Sequence, residues 1–193
     1  MKYASLDIET TGDNPSIDQV LQISIVVEDT ANQLPIEQLP SFTCIVKHDR
    51  YCGNAFALQL NSWILKEISK AASAEKKQEQ YTPKYPIYNF PQALEKMAEF
   101  LKLHFKDEKP TVAGKNVAGF DLQFFPNDVR KLFLNRVIDP AILFVDWDKD
   151  SQLPDLKTCK HRAKLEEYVS HDALDDARDI IKVVREKINA QRA

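Results

Sequence analysis

Apolar residues recur along this chain at two spacings, and the order in which the spacings change predicts the fold. Val20-Leu21-Gln22-Ile23-Ser24-Ile25-Val26-Val27 and Phe42-Thr43-Cys44-Ile45-Val46 are β-rich runs, and Tyr3-Ala4-Ser5-Leu6 is mostly small or apolar. Short runs of this kind bounded by turn residues read as strands. Asn32, Pro35 and Pro40 mark a loop over 28–40, so the three strands lie close in sequence and predict an antiparallel meander. Thr111-Val112-Ala113-Gly114 and Arg136-Val137-Ile138-Asp139 read as two further short strands. Helical spacing is clearest from Gln92 to Phe105, with Leu94, Met97, Ala98, Leu101 and Phe105 on one face. It returns from Ala173 to Ala190, through Leu174, Ala177, Ile180, Ile181, Val184 and Ile188. Leu58–Ile68, Gly119–Leu134 and Leu153–Glu167 read as helices too, with Pro126 forcing a break or restart in the second. Residues 70–91, carrying Pro83, Pro86 and Pro91, read as a crossing loop. A meander followed by alternating helices and strands predicts an α/β fold, a mixed sheet flanked by helices.

The length, 193 residues, suits one domain over 1–193 with a substantial core. Lys and Arg number 26 against 29 Asp and Glu, a formal charge of −3, so no basic excess announces a nucleic-acid partner. Bound cations would reverse that sign locally, and composition therefore does not select the partner. Cys44, Cys52 and Cys159 are odd in number and lack C-x-x-C spacing. That argues against a disulfide framework or structural zinc and predicts a reducing, cytoplasmic setting. The chain starts directly in a strand, so no signal peptide is expected, and no apolar run approaches a membrane span.

Candidate chemistry begins in Leu6-Asp7-Ile8-Glu9-Thr10-Thr11-Gly12. Residues two apart in a strand share a face, which puts Asp7 and Glu9 side by side. Two neighbouring carboxylates repel and are costly to desolvate, and a divalent cation between them removes the cost. Gly12 lets the chain turn sharply afterwards. Alone, such a pair is better explained by a strand end running into a polar turn. Two further acids change the balance. Asp121 follows the Thr111–Gly114 strand at the start of the next helix, and Asp176 sits in the first turn of the last helix. Asp172 and Asp175 are explained by helix capping. Asp176, however, lies among Ala173, Ala177 and Ile180 on the buried stripe and needs a partner there. The helix macrodipole favours its charged form.

These segments resemble the three motifs of the DEDD exonuclease superfamily, the group that includes the proofreading exonuclease subunit of DNA polymerase III, RNase T and oligoribonuclease. Asp7 and Glu9 match the first motif, Asp121 the second, and His171 with Asp176 the H-x-A-x-x-D third motif of the His-containing branch. The resemblance implies a ribonuclease-H-like fold and hydrolysis of phosphodiesters from 3′ ends of single-stranded DNA or RNA, releasing nucleoside monophosphates. It implies two Mg²⁺ or Mn²⁺ ions, hard cations suited to oxygen ligands. Asp7 would bridge both ions, Glu9 and Asp176 would hold the one on the nucleophile side, and Asp121 the other. His171 would take the proton from the attacking water, as an imidazole titrating near neutrality can.

By the same similarity, Thr10, Thr11 and Asn61 would contact the terminal nucleotide, while Asn116 and Phe120 flank the second motif near the scissile phosphate or a base. Each also has a structural explanation: turn residues, a helix cap, core. Leu58 and Leu60 fit core better than a base-stacking wedge. The alternating Asp146, Asp148 and Asp150 fit a solvated loop better than a metal site. Relatives act as homodimers or with polymerase partners. Two other readings share the residues: a nucleic-acid-binding or polymerase-associated module with little catalysis, and a phosphoesterase acting on very short oligonucleotides.

Overall fold

The computed structural model describes residues 1–168 and 170–192. Strands β1 (Lys2–Thr10), β2 (Val20–Asp29) and β3 (Ser41–Lys47) form the expected antiparallel meander. Three short strands extend it in parallel. β4 (Ile87–Asn89) joins β3, β5 (Thr111–Ala113) joins β1, and β6 (Val137–Ile138) joins β5. The sheet order is β4-β3-β2-β1-β5-β6, so β1 is covered on both edges.

Alternation along β1 sorts its side chains between two layers. Ala4, Leu6 and Ile8 enter a core with Ile23, Ile25 and Val27 of β2 and with Ala93, Met97, Leu101 and Phe105 of helix α3 (Phe90–Phe105). Tyr3 faces the other way, onto Ala177, Ile180, Ile181 and Val184 of helix α7 (Ala173–Arg192). Ser5, on the same face, donates its hydroxyl to the Ala177 carbonyl at 2.8 Å. Asp7 and Glu9 continue that face toward the start of α7. α3 begins slightly earlier than its spacing predicts because Asn89 and Gln92 cap it reciprocally, with Pro91 in the first turn.

Several expected elements differ. The helix predicted over 58–68 is two helices, α1 (Ala55–Leu60) and α2 (Ser62–Lys77), separated at Asn61. α2 takes in the first third of the predicted crossing loop, since Ala71-Ala72-Ser73-Ala74 and the Lys pair are good helix formers and the prolines begin only at Pro83. Pro126 divides the helix predicted over 119–134 into a 3-10 turn at Asp121–Phe124 and α4 (Asn127–Arg130). α5 (Pro140–Phe144), capped by Asp139, was not predicted. The helix predicted over 153–167 shortens to α6 (Leu156–Arg162), which starts where the Asp155 side chain accepts from the Thr158 amide at 2.7 Å.

Gly12 does not turn the chain through a left-handed conformation, since no described glycine has positive φ. It makes room instead: a Cβ there would stand 2.3 Å from the Asp18 carboxylate. Asp146 and Asp150 are ion-paired, to Lys149 and Arg162, in keeping with a solvated loop. No described helix is long and apolar enough to cross a membrane.

Candidate active site

Three separate segments deliver acids to one end of the α7 face. β1 contributes Asp7 and Glu9 at its C-terminal half. β5 runs parallel beside β1, pairing Ser5 with Ala113, and its exit turn therefore emerges next to Asp7. Gly114 permits the approach, because a Cβ at that position would meet the Leu6 carbonyl at 2.8 Å. The turn ends at Asp121, which is 4 % exposed and accepts a 3.1 Å hydrogen bond from the Ile8 amide. That bond ties the second acidic segment to the residue between Asp7 and Glu9. The third segment is the first turn of α7, where Asp176 is buried among the alanines that its spacing predicts.

His171 stands just before that turn, exposed and in a left-handed conformation (φ 52°). One carboxylate oxygen of Glu9, one of Asp176 and a ring nitrogen of His171 all lie within 4.8 Å of one another. The predicted five residues thus converge from the start, middle and end of the chain.

Burial governs the electrostatics, and crowding adds to it. Desolvation pushes the Asp7 carboxyl well above the usual carboxylate range, and Asp121, Glu9 and Asp176 add repulsion. Burial, then Asp176, pushes Glu9 up to about 8, against a lowering hydrogen bond from Asn61. Burial pushes Asp121 up to about 7 although backbone amides, including that of Ile8, oppose it. Asp176 also rises to about 7, chiefly by burial and secondly by Asp179, with the Ser170 backbone and Lys160 opposing. None of the four appears in an ion pair among the described residues. One oxygen of Asp176, Oδ1, is buried without any hydrogen-bond partner. Four converging carboxylates, short of positive charge and offering oxygen donors, fit hard divalent cations.

The predicted nucleotide contacts are mixed. The Thr10 hydroxyl donates to the Gly12 carbonyl at 2.6 Å, and the Thr11 hydroxyl accepts from the Gln19 amide at 2.9 Å. Both are spent on the turn. Asn61 is 2 % exposed and donates to the Thr10 carbonyl at 3.0 Å, while its Oδ1 has no partner. Asn116 is exposed, with φ 53°, in the turn leading to Asp121. Phe120 is half-buried and packs on Phe124 with ring centroids 5.2 Å apart.

Sequence reasoning missed the support beneath His171. Gln22 of β2 donates to Asp172 at 3.1 Å and accepts from the Ala173 amide at 3.1 Å. Lys84 and Tyr85, from the segment read as a loop, also bind the Asp172 carboxylate. A glutamine inside the apolar run Val20–Val27 was the available signal, since a buried amide requires a partner.

The sequence model of the exonuclease family RNase_T matches residues 5–184. No curated protein matches the chain. Among solved structures, cell-death related nuclease 4 is 15 % identical with a TM-score of 0.66, covering 98 % of this chain and 64 % of its own. A full-length 3′-exonuclease is 16 % identical with a TM-score of 0.67, covering 98 % and 61 %. The zinc-bound Escherichia coli exonuclease I–single-stranded DNA complex is 16 % identical with a TM-score of 0.60, covering 99 % and 41 %. The chain therefore spans less than two thirds of these proteins, and at such identities the likeness is one of fold. The expected ribonuclease-H-like architecture is present.

Proposed function

This chain belongs to the exonuclease family that the RNase_T model describes, and from that membership we propose that it removes nucleotides from the 3′ ends of single-stranded DNA or RNA in a reaction dependent on Mg²⁺ or Mn²⁺. In this reading residues 1–193 form one exonuclease domain. The observation that carries it is the meeting of four carboxylates and an imidazole from three distant segments, with no cationic side chain paired to the acids among the described residues.

Asp7, Glu9, Asp121 and Asp176 would hold the divalent ions. When bound, these ions supply positive charge to the reacting phosphate and lower the pKa of the attacking water. His171 acts as general base, taking the water proton on a ring nitrogen as the water oxygen bonds to phosphorus. The bond to the 3′ oxygen of the preceding nucleotide breaks, that oxygen takes a proton from solvent to become the new 3′ hydroxyl, and a nucleoside 5′-monophosphate leaves. Asn61 braces the strand end by holding the Thr10 carbonyl, and Thr10 and Thr11 shape the turn against which the terminal nucleotide rests. Asn116 and Phe120 border the site on the side of Asp121 and contact the scissile phosphate or a base. The single-stranded DNA in the exonuclease I complex supports the substrate class.

The test is digestion of 3′-labelled single-stranded and duplex DNA and RNA with Mg²⁺, Mn²⁺ or EDTA. Mononucleotide release that EDTA abolishes is expected. Binding without release would make the chain a recognition module. The net charge of −3 favours weak hold on long strands, so dinucleotides belong in the panel. Cleavage confined to them would identify a short-oligonucleotide phosphoesterase.

A further inference from the structure

His171 occupies a backbone conformation that a non-glycine residue rarely keeps without support. Its support comes from three places. The indole N–H of Trp63, on α2, donates to the His171 carbonyl at 3.3 Å. The next residue, Asp172, is 4 % exposed and accepts from Lys84 Nζ at 2.6 Å, Tyr85 Oη at 3.1 Å, Gln22 Nε2 at 3.1 Å and the Leu174 amide at 3.0 Å. The Lys84 ammonium also lies 5.0 Å from the centre of the Trp63 ring and 5.1 Å from that of Tyr85. One cation thus joins the indole that holds the His171 carbonyl to the carboxylate that follows it.

We propose that Lys84, with Trp63 and Asp172, is a positioning residue that holds the His171 imidazole beside Glu9 and Asp176. This rests on the exonuclease reading for its catalytic consequence, but the geometric effect on His171 does not. Lys84 is itself exposed, but its ammonium is engaged by the buried Asp172 carboxylate. Loss of its charge leaves a buried carboxylate short of its strongest partner. The first turn of α7 then shifts to hydrate Asp172, and the His171 backbone relaxes toward an ordinary conformation. A displacement of about 1 Å at a proton-transfer group is worth on the order of 10²-fold in rate.

Two readouts on Lys84→Met, Lys84→Arg and Trp63→Phe test this. In single-stranded oligonucleotide digestion, Lys84→Met should lower kcat about 10–100-fold with KM little changed. Lys84→Arg should recover most of it, and Trp63→Phe, which keeps an aromatic ring but loses the indole N–H, should show a smaller fall. In NMR spectra of the imidazole side chains, the His171 signal should move or broaden in Lys84→Met while those of His48, His104 and His161 stay put. A raised KM at unchanged kcat would make Lys84 a substrate contact and overturn the proposal. So would an unmoved His171 signal. If the wild-type chain hydrolyses nothing but the His171 signal still responds, the exonuclease reading falls and the positioning role stands.

Discussion

Two groups of carboxylates lie against the same sheet and the same helix, and they are treated in opposite ways. Glu28, at the far end of β2, is fully buried, and the Arg185 guanidinium reaches it from α7 with Nε at 3.0 Å. Asp179, one turn beyond Asp176, is paired with the buried Lys160 and with Lys182. Asp7, Glu9, Asp121 and Asp176 have no such partner among the described residues. The chain therefore supplies internal cations where an acid serves the fold and withholds them where acids converge. A carboxylate that serves only packing does not need to be left uncompensated.

The largest expected effect comes from erasing the uncompensated group. Asp7→Ala or Asp176→Ala should cost at least about 10³-fold in turnover. Thermal unfolding without divalent cation should stay cooperative, with Tm unchanged or raised, since mutual repulsion is relieved. Full activity in either purified variant would end the contrast. His171→Ala comes next, at about 10²–10⁴-fold in kcat at neutral pH. An unchanged rate there would assign the proton to another group. Arg185→Met should do the reverse, leaving the rate per folded molecule intact but lowering stability to urea by about 3–5 kcal/mol, because it strands Glu28. A change below about 1 kcal/mol would show that the two groups are not distinct after all.

The most gradual effect is in the pH dependence of stability. Glu9 titrates at about 8, and Asp121 and Asp176 at about 7, in the folded protein. All three lie above unfolded carboxylates, which titrate near 4. The folded state thus keeps protons that the unfolded chain has released, and stability present at acid pH is lost as pH rises through 7–8. Metal-free Tm should fall between pH 5 and pH 8.5, and Mg²⁺ should flatten or reverse that slope by pairing the ionised acids. A slope indifferent to Mg²⁺ would argue that the acids do not bind it.

The meander, α3 and α7 were legible because each rests on a local pattern, strand runs or helical spacing, and Asp176 stood out as an acid on an apolar stripe, whereas Asp121 and His171 were singled out through the family resemblance. What escaped depends on partners remote in sequence. Asp172 looks like an ordinary cap until Lys84, Tyr85 and Gln22 are brought to it. Asn61 interrupts a continuous helical pattern because its side chain holds the Thr10 carbonyl, a contact across 51 positions. The helix over 70–77 was hidden by prolines that act only further on.

The bond from Ser5 to the Ala177 carbonyl works as a vernier for the whole assembly. Ser5 lies two positions before Asp7, and Ala177 one after Asp176, so a single hydroxyl indexes the helix screw against the strand. A slip of one residue along α7 would rotate Asp176 by roughly 100° out of alignment. A bulky side chain in place of Ser5 would act as a shim, and the rotation it forced would disarm the distant acids without touching any of them.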